Sequence, residues 1–145
     1  MSNWAERKQP RFGAWALATV VALGGSLGLD AILVAIGTRM FPSTRGFVHF
    51  RFSDYGKPTL IGVIVACIGW PIVTRISSAP RWVFFRSAIV VTLVLALPDL
   101  YILATGEPAK AVAVLMVMHL AIAIVTYNAL VRLAPIRRRR LHAST

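Results

Sequence analysis

Four apolar blocks, each close to the length of a bilayer crossing, limit what this chain can fold into. They lie near residues 14–38, 58–75, 82–105 and 109–133. A hydrocarbon core about 30 Å thick needs about 20 helical residues at roughly 1.5 Å each. The second block meets that length with little to spare. In lipid, backbone N–H and C=O groups must be bonded within the protein, so isolated blocks of this kind fold as helices. The expected fold class is therefore all-α: a polytopic membrane protein built as a four-transmembrane-helix bundle. Composition agrees. The chain is 57% hydrophobic and 14% charged, against roughly 25% charged in soluble domains, and its mean hydropathy is +0.71.

One transmembrane domain, 14–134, is expected, with an external loop at 39–57. A basic N-terminal segment, 1–13, and a basic tail, 135–145, flank it. Pro58 is expected in the first turn of helix 2 and Pro108 just before helix 4, positions where a missing N–H costs little. The apolar run from Gly13 to Thr38 exceeds a signal-peptide core of about 7–15 residues and contains Asp30. It reads as an uncleaved first helix.

Lysine and arginine set the expected orientation. Arg7, Lys8, Arg11, Arg75, Arg81, Arg86, Arg132 and Arg137 to Arg140 are eleven of the sixteen basic residues. All fall on one side, so both termini are expected in the cytoplasm. Trp15, Trp70 and Trp82 fall near the same interface, as aromatic belts do. A net charge of +11 suggests nucleic acid in a soluble protein. Here the charges flank apolar blocks, and nucleic acid is not an expected partner. The expected partner is the lipid bilayer, with anionic lipid at Arg137, Arg138, Arg139 and Arg140.

Cys67 is the only cysteine, which excludes an intrachain disulfide and an all-cysteine metal or iron–sulfur site. Its neighbours Val65, Ala66 and Ile68 make it a small packing residue. No helical H-x-x-x-H or E-x-x-H pair supports a metal site. A haem held by two histidines lacks a second candidate at depth, because His49 and His142 lie outside the spans. Neither cofactor nor metal is expected.

Three ionisable residues interrupt the apolar blocks: Asp30, Asp99 and His119. A charge at bilayer depth costs about 2.5–3.5 kcal/mol on insertion scales, so such groups face protein or water and need partners. With both termini inside, all three fall in the outer half of the membrane, on helices 1, 3 and 4. Thr19, Ala22, Ser26 and Asp30 form one small-polar stripe at helical spacing. Gly24, Gly28, Ala31 and Ala35 form a second, small-residue face suited to close helix approach. Gly62, Ala66 and Gly69 repeat the pattern on helix 2. Pro98 precedes Asp99 and removes a helical hydrogen bond beside it, which favours a kink. The candidate intramembrane polar site is Asp30, Asp99, His119 and Ser26. Its functional readings are a proton relay or a ligand contact. Its structural reading is an interhelical hydrogen bond worth about 1 kcal/mol.

In the external loop, Phe47 to Phe52 alternate in parity, which fits a short extended segment. Arg45, His49, Arg51 and Asp54 then form a possible lid over the buried carboxylates. The alternative is an interfacial loop whose phenylalanines dip into lipid. Tyr127 and Asn128 are candidates for interhelical hydrogen bonds.

The segment Arg86 to Leu100, containing Pro98-Asp99, and the segment Lys110 to Leu120, containing His119, carry a resemblance. Together they resemble a domain-of-unknown-function family of small four-helix membrane proteins, mostly actinobacterial. Members place Pro-Asp near the outer end of helix 3 and a histidine in helix 4. The resemblance covers the second half of the chain well and the first half loosely. It implies a bacterial inner membrane and a four-helix bundle, and it assigns no activity.

The expected function is a non-catalytic accessory or scaffold subunit of a membrane complex, and the expected protein partners are further copies of the chain or other membrane subunits. The alternative is a small proton-coupled transporter or ligand-binding bundle that uses the Asp/Asp/His cluster. A lipid-directed enzyme ranks last, since no nucleophile motif or metal box is present.

Overall fold

The structure, a computed structural model, describes residues 9–136. Arg7, Lys8, His142 and the Arg137–Arg140 run lie outside the described residues. Four helices follow in order: α1 (Phe12–Met40), α2 (Phe52–Ile76), α3 (Pro80–Ala104) and α4 (Ala109–Leu133). Each is long and apolar enough to cross a membrane. Among the described residues there is no strand. One end of the bundle carries the α1–α2 loop and the α3–α4 turn, and is here the loop end. The other, the terminal end, carries the start of α1 and the end of α4.

The loop is shorter than expected because α2 starts at Phe52, not Pro58. Asp54 lies in its first turn, where a carboxylate is favoured by the exposed N–H groups and helix dipole. Pro58 falls inside the helix. It removes the one hydrogen bond that would run back to the Asp54 carbonyl. The expected extended segment is also absent. Pro42–Thr44 and Val48–Phe50 form single 3-10 turns. The Arg51 N–H donates to the Val48 carbonyl at 3.1 Å and the Phe50 N–H to the Phe47 carbonyl at 3.0 Å. With no neighbouring strand, local bonds of this kind satisfy the backbone. Gly46, at φ 86°, and Gly106, at φ 97°, supply the left-handed positions in the loop and the α3–α4 turn.

α4 is the hub of the bundle. It packs most extensively on α1 and then on α3, and α1 also packs on α2. The α1 face that meets α4 includes Ala18, Ala22, Gly25, Ser26 and Gly37. An added Cβ at Gly25 would lie 3.0 Å from Val125 Cγ1, and one at Gly37 would lie 2.9 Å from Val114 Cγ2. The expected packing face, Gly24 with Gly28, meets nothing within 4 Å. The two faces lie on nearly opposite sides of α1, about 160° apart, and the stripe carrying Ser26 and Asp30 is the one that takes the neighbouring helix. Gly37→Leu is therefore expected to lower stability by about 1–3 kcal/mol through overpacking. Leucine at Gly24 and Gly28 is expected to leave thermal stability in detergent nearly unchanged. Equal melting temperatures for the two variants would contradict this assignment.

The tightest packing lies toward the terminal end. Trp70 is 0% exposed, not in an interfacial belt as its position suggested. Its indole N–H donates to the Ala134 carbonyl at 3.0 Å. Its ring meets Phe84 edge-on at 5.1 Å, and Phe84 stacks on Tyr127 at 6.0 Å. Trp15 also turns inward, donating to the Cys67 carbonyl at 2.9 Å. Trp82 alone of these three is mostly exposed, with the Arg86 guanidinium 3.6 Å over its ring. Tyr127 thus joins helices by stacking, and Asn128 donates to Ile124 of its own helix. Cys67 is buried in the same core.

α3 is the least enclosed helix. Phe84 and Asp99 are its only buried residues. Leu93, Val94 and Leu97 stand more than half exposed. In water such a surface would be a large apolar patch. Against lipid chains it carries no hydration cost.

Candidate functional site

α2 and α3 are consecutive in sequence yet touch little. The Trp70 and Phe84 rings lie between them at the terminal end, and from there the helices leave a groove backed by α4. Its volume is about 450 Å³, within the roughly 300–1,000 Å³ typical of ligand sites. Gly62, Ala66 and Gly69 form the α2 wall, and Ala88, Val91 and Leu95 belong to the α3 wall. The helix-2 small residues expected to pack a neighbour therefore line open space instead. No atom lies within 4 Å of a Cβ added at Gly62. From Thr59 to Val73 the groove follows α2 for about 21 Å.

Its walls are apolar and its loop end is polar. Asp99, His119, His49, Asp54, Tyr55 and Thr59 all line that end. Asp99 comes from α3, one residue after Pro98, which leaves the Val94 carbonyl without its helical N–H. His119 comes from α4, about 15 Å from that helix's start. The two meet: His119 Nδ1 lies 3.0 Å from Asp99 Oδ2. The same nitrogen lies 3.0 Å from the Leu115 carbonyl. Only the contact to the Leu115 carbonyl has hydrogen-bond alignment, and the place of the proton follows from the tautomer. Asp99 Oδ2, buried, has a nitrogen beside it but no aligned donor. Both contacts use Nδ1, so Nε2 has no protein hydrogen bond among the described residues.

Asp30 does not join this pair. It is 0% exposed and absent from the groove lining. Thr59 stands between, donating its hydroxyl to Asp30 Oδ2 at 2.7 Å. Asp30 Oδ1 has no partner. One turn along α1 toward the terminal end, the Ser26 hydroxyl lies 3.4 Å from that of Thr126 on α4. The four candidates thus divide into a groove pair, Asp99 and His119, and a sealed α1 set, Asp30 and Ser26.

Thr59 is the residue that sequence reasoning missed. Its signal was available: it lies near the loop end of helix 2, at the depth of Asp30 on the adjacent helix. The lid divides too. His49 and Asp54 reach the groove mouth. Arg45 lines a neighbouring hollow of about 480 Å³ with Glu107 and Pro108, which shares His49 with the groove. Arg51 caps α2, its carbonyl accepting the Asp54 N–H at 2.8 Å. Among the described residues no three His, Cys, Asp or Glu side chains cluster closely enough to hold a metal ion.

Compared with protein-family models, curated proteins and solved structures, the chain has no match.

Proposed function

We propose that this is a multi-pass protein of the bacterial inner membrane that holds an elongated amphipathic molecule between α2 and α3. The observation that carries the reading is the groove itself: apolar walls along the membrane normal, closed at one end by Phe84 and Tyr127, and ending in Asp99 and His119. Pockets that combine apolar walls with a few convergent polar groups are the usual form of small-molecule sites. Intramembrane ionisable residues mark such sites more often than not. The basic residues near the termini support a cytoplasmic terminal end. Asp99 and His119 then lie in the outer half, and the groove opens sideways to lipid there.

Gly62→Phe tests the reading. A Cβ added at Gly62 meets nothing within 4 Å and the ring projects into the groove, so the fold is expected to persist. Wild-type protein extracted from its membrane in mild detergent is expected to retain a bound amphiphile, read by native mass spectrometry. The variant is expected to lose it. Equal retention by both would sink the proposal.

A second reading rests on a different face. Gly24, Gly28, Ala31 and Ala35 are all exposed along α1, and small residues of this kind let helices of separate chains approach closely. This supports an accessory or scaffold subunit, or a homo-oligomer. Leucine at Gly24 and Gly28 together blocks that face. Loss of a defined oligomer or co-purifying subunit supports the reading, and unchanged assembly counts against it.

A further inference from the structure

The polar end of the groove also carries information about the head of its occupant. Asp99 is 5% exposed, lines the groove, and its Oδ2 has no hydrogen-bond donor. The nearest nitrogen, His119 Nδ1, lies 3.0 Å away but is aligned with the Leu115 carbonyl. A buried carboxylate oxygen left in this state costs several kcal/mol unless a donor or a cation reaches it. The other formally charged side chain lining this end is Asp54. The remaining polar groups there are His49, His119, Tyr55 and Thr59. No lysine or arginine lines the groove, although the chain carries sixteen of them. An anionic headgroup would find two carboxyl groups and, apart from the two histidines, no cationic side chain. An ammonium group would find both a counter-charge and an acceptor.

We propose that the groove takes an amphipathic cation: a single long apolar chain with an ammonium head seated against Asp99. This rests on the groove reading above and adds the charge of the head to it. Asp99 supplies the charge-assisted acceptor. Asp54 adds negative potential at the mouth. The walls formed by Gly62, Ala66 and Val91 take the chain. Thr59 hands its proton to Asp30, so its oxygen lone pairs remain a weaker, neutral acceptor for the same head.

The test uses the full-length chain in phosphatidylcholine nanodiscs. Three photo-crosslinking probes share one diazirine-bearing alkyl tail and differ in the head: primary ammonium, hydroxyl or carboxylate. Empty nanodiscs correct for partitioning into lipid, and labelled residues are mapped by peptide mass spectrometry. The ammonium probe is expected to label groove residues of α2 and α3 at concentrations about tenfold or more below the other two. Asp99→Asn, which keeps the shape of the side chain, is expected to remove that preference while labelling by the hydroxyl probe persists. If the hydroxyl or carboxylate probe labels the groove as well as the ammonium probe, or if Asp99→Asn leaves the preference unchanged, the cationic head is wrong and the groove reading stands. If no probe labels the groove above the outer faces of the bundle, both are wrong.

Discussion

Trp70→Ala is expected to destabilise the bundle by about 3–5 kcal/mol, the range for truncating a buried tryptophan or phenylalanine. Three losses coincide at this position. The indole fills the core where α2, α3 and α4 converge. Its N–H is the donor to the Ala134 carbonyl, just past the end of α4. Its edge-on contact with Phe84 holds α3 against α2 at the end where those helices meet. Unfolding in a denaturing-detergent titration should show the loss as an early midpoint. Trp70→Phe keeps most of the volume and loses the hydrogen bond, so it is expected to fall between the wild type and alanine. A Trp70→Ala midpoint within 1 kcal/mol of wild type would mean that the terminal-end core does not hold the bundle together.

Thr59→Val is expected to cost about 1–3 kcal/mol, the range for leaving a buried polar group without its hydrogen-bond partner. Valine nearly preserves shape, so the effect isolates the hydroxyl. Among the described residues, Thr59 donates the only hydrogen bond that the fully buried Asp30 carboxyl receives. Removing it leaves both oxygens without a donor on a helix packed against two neighbours. Asp30→Asn is the opposing control. The amide carries no charge and still accepts from Thr59, so it is expected to match or exceed wild-type stability. In Thr59→Val combined with Asp30→Asn the cost should shrink, because the variants share one interaction. Additive losses in that double variant would show that Thr59 acts elsewhere.

The helical architecture was legible in the sequence because lipid leaves few alternatives. Apolar blocks of this length fold as helices whatever their side-chain order, and the four observed helices cover the four expected spans. Interhelical detail was less legible for the same reason. In a soluble bundle, apolar residues mark the inward face. Here Leu93 and Val94 face outward as readily as Val63 and Leu130 face inward. Polarity and smallness then carry the signal, and they carry it unevenly. Ser26 and Asp30 marked the packed stripe of α1 correctly. Gly24 and Gly28 pointed to positions where an added Cβ meets nothing within 4 Å among the described residues, while Gly25 and Gly37 make the close approaches. Single glycines do not reveal which neighbour comes near.

The site divided along the same line. Asp99 and His119 meet because α3 and α4 are joined by a short turn, which fixes their relative depth. Asp30 had no such local constraint. Its partner is set by α1 packing on α2, a contact that depends on the whole bundle. Trp70 shows the limit of belt arguments. A tryptophan near a predicted interface can turn inward when a backbone carbonyl, here that of Ala134, waits for its N–H.

The most direct test of the groove is a crystal structure from lipidic mesophase at side-chain resolution. The account predicts elongated density between α2 and α3, bounded by Gly62, Ala66 and Val91. Its polar end should lie about 3 Å from the Asp99 carboxyl, a hydrogen-bonding distance. A structure in which α2 and α3 close on each other, with Ala66 packed against Ala88 and no space beside Asp99, would contradict it.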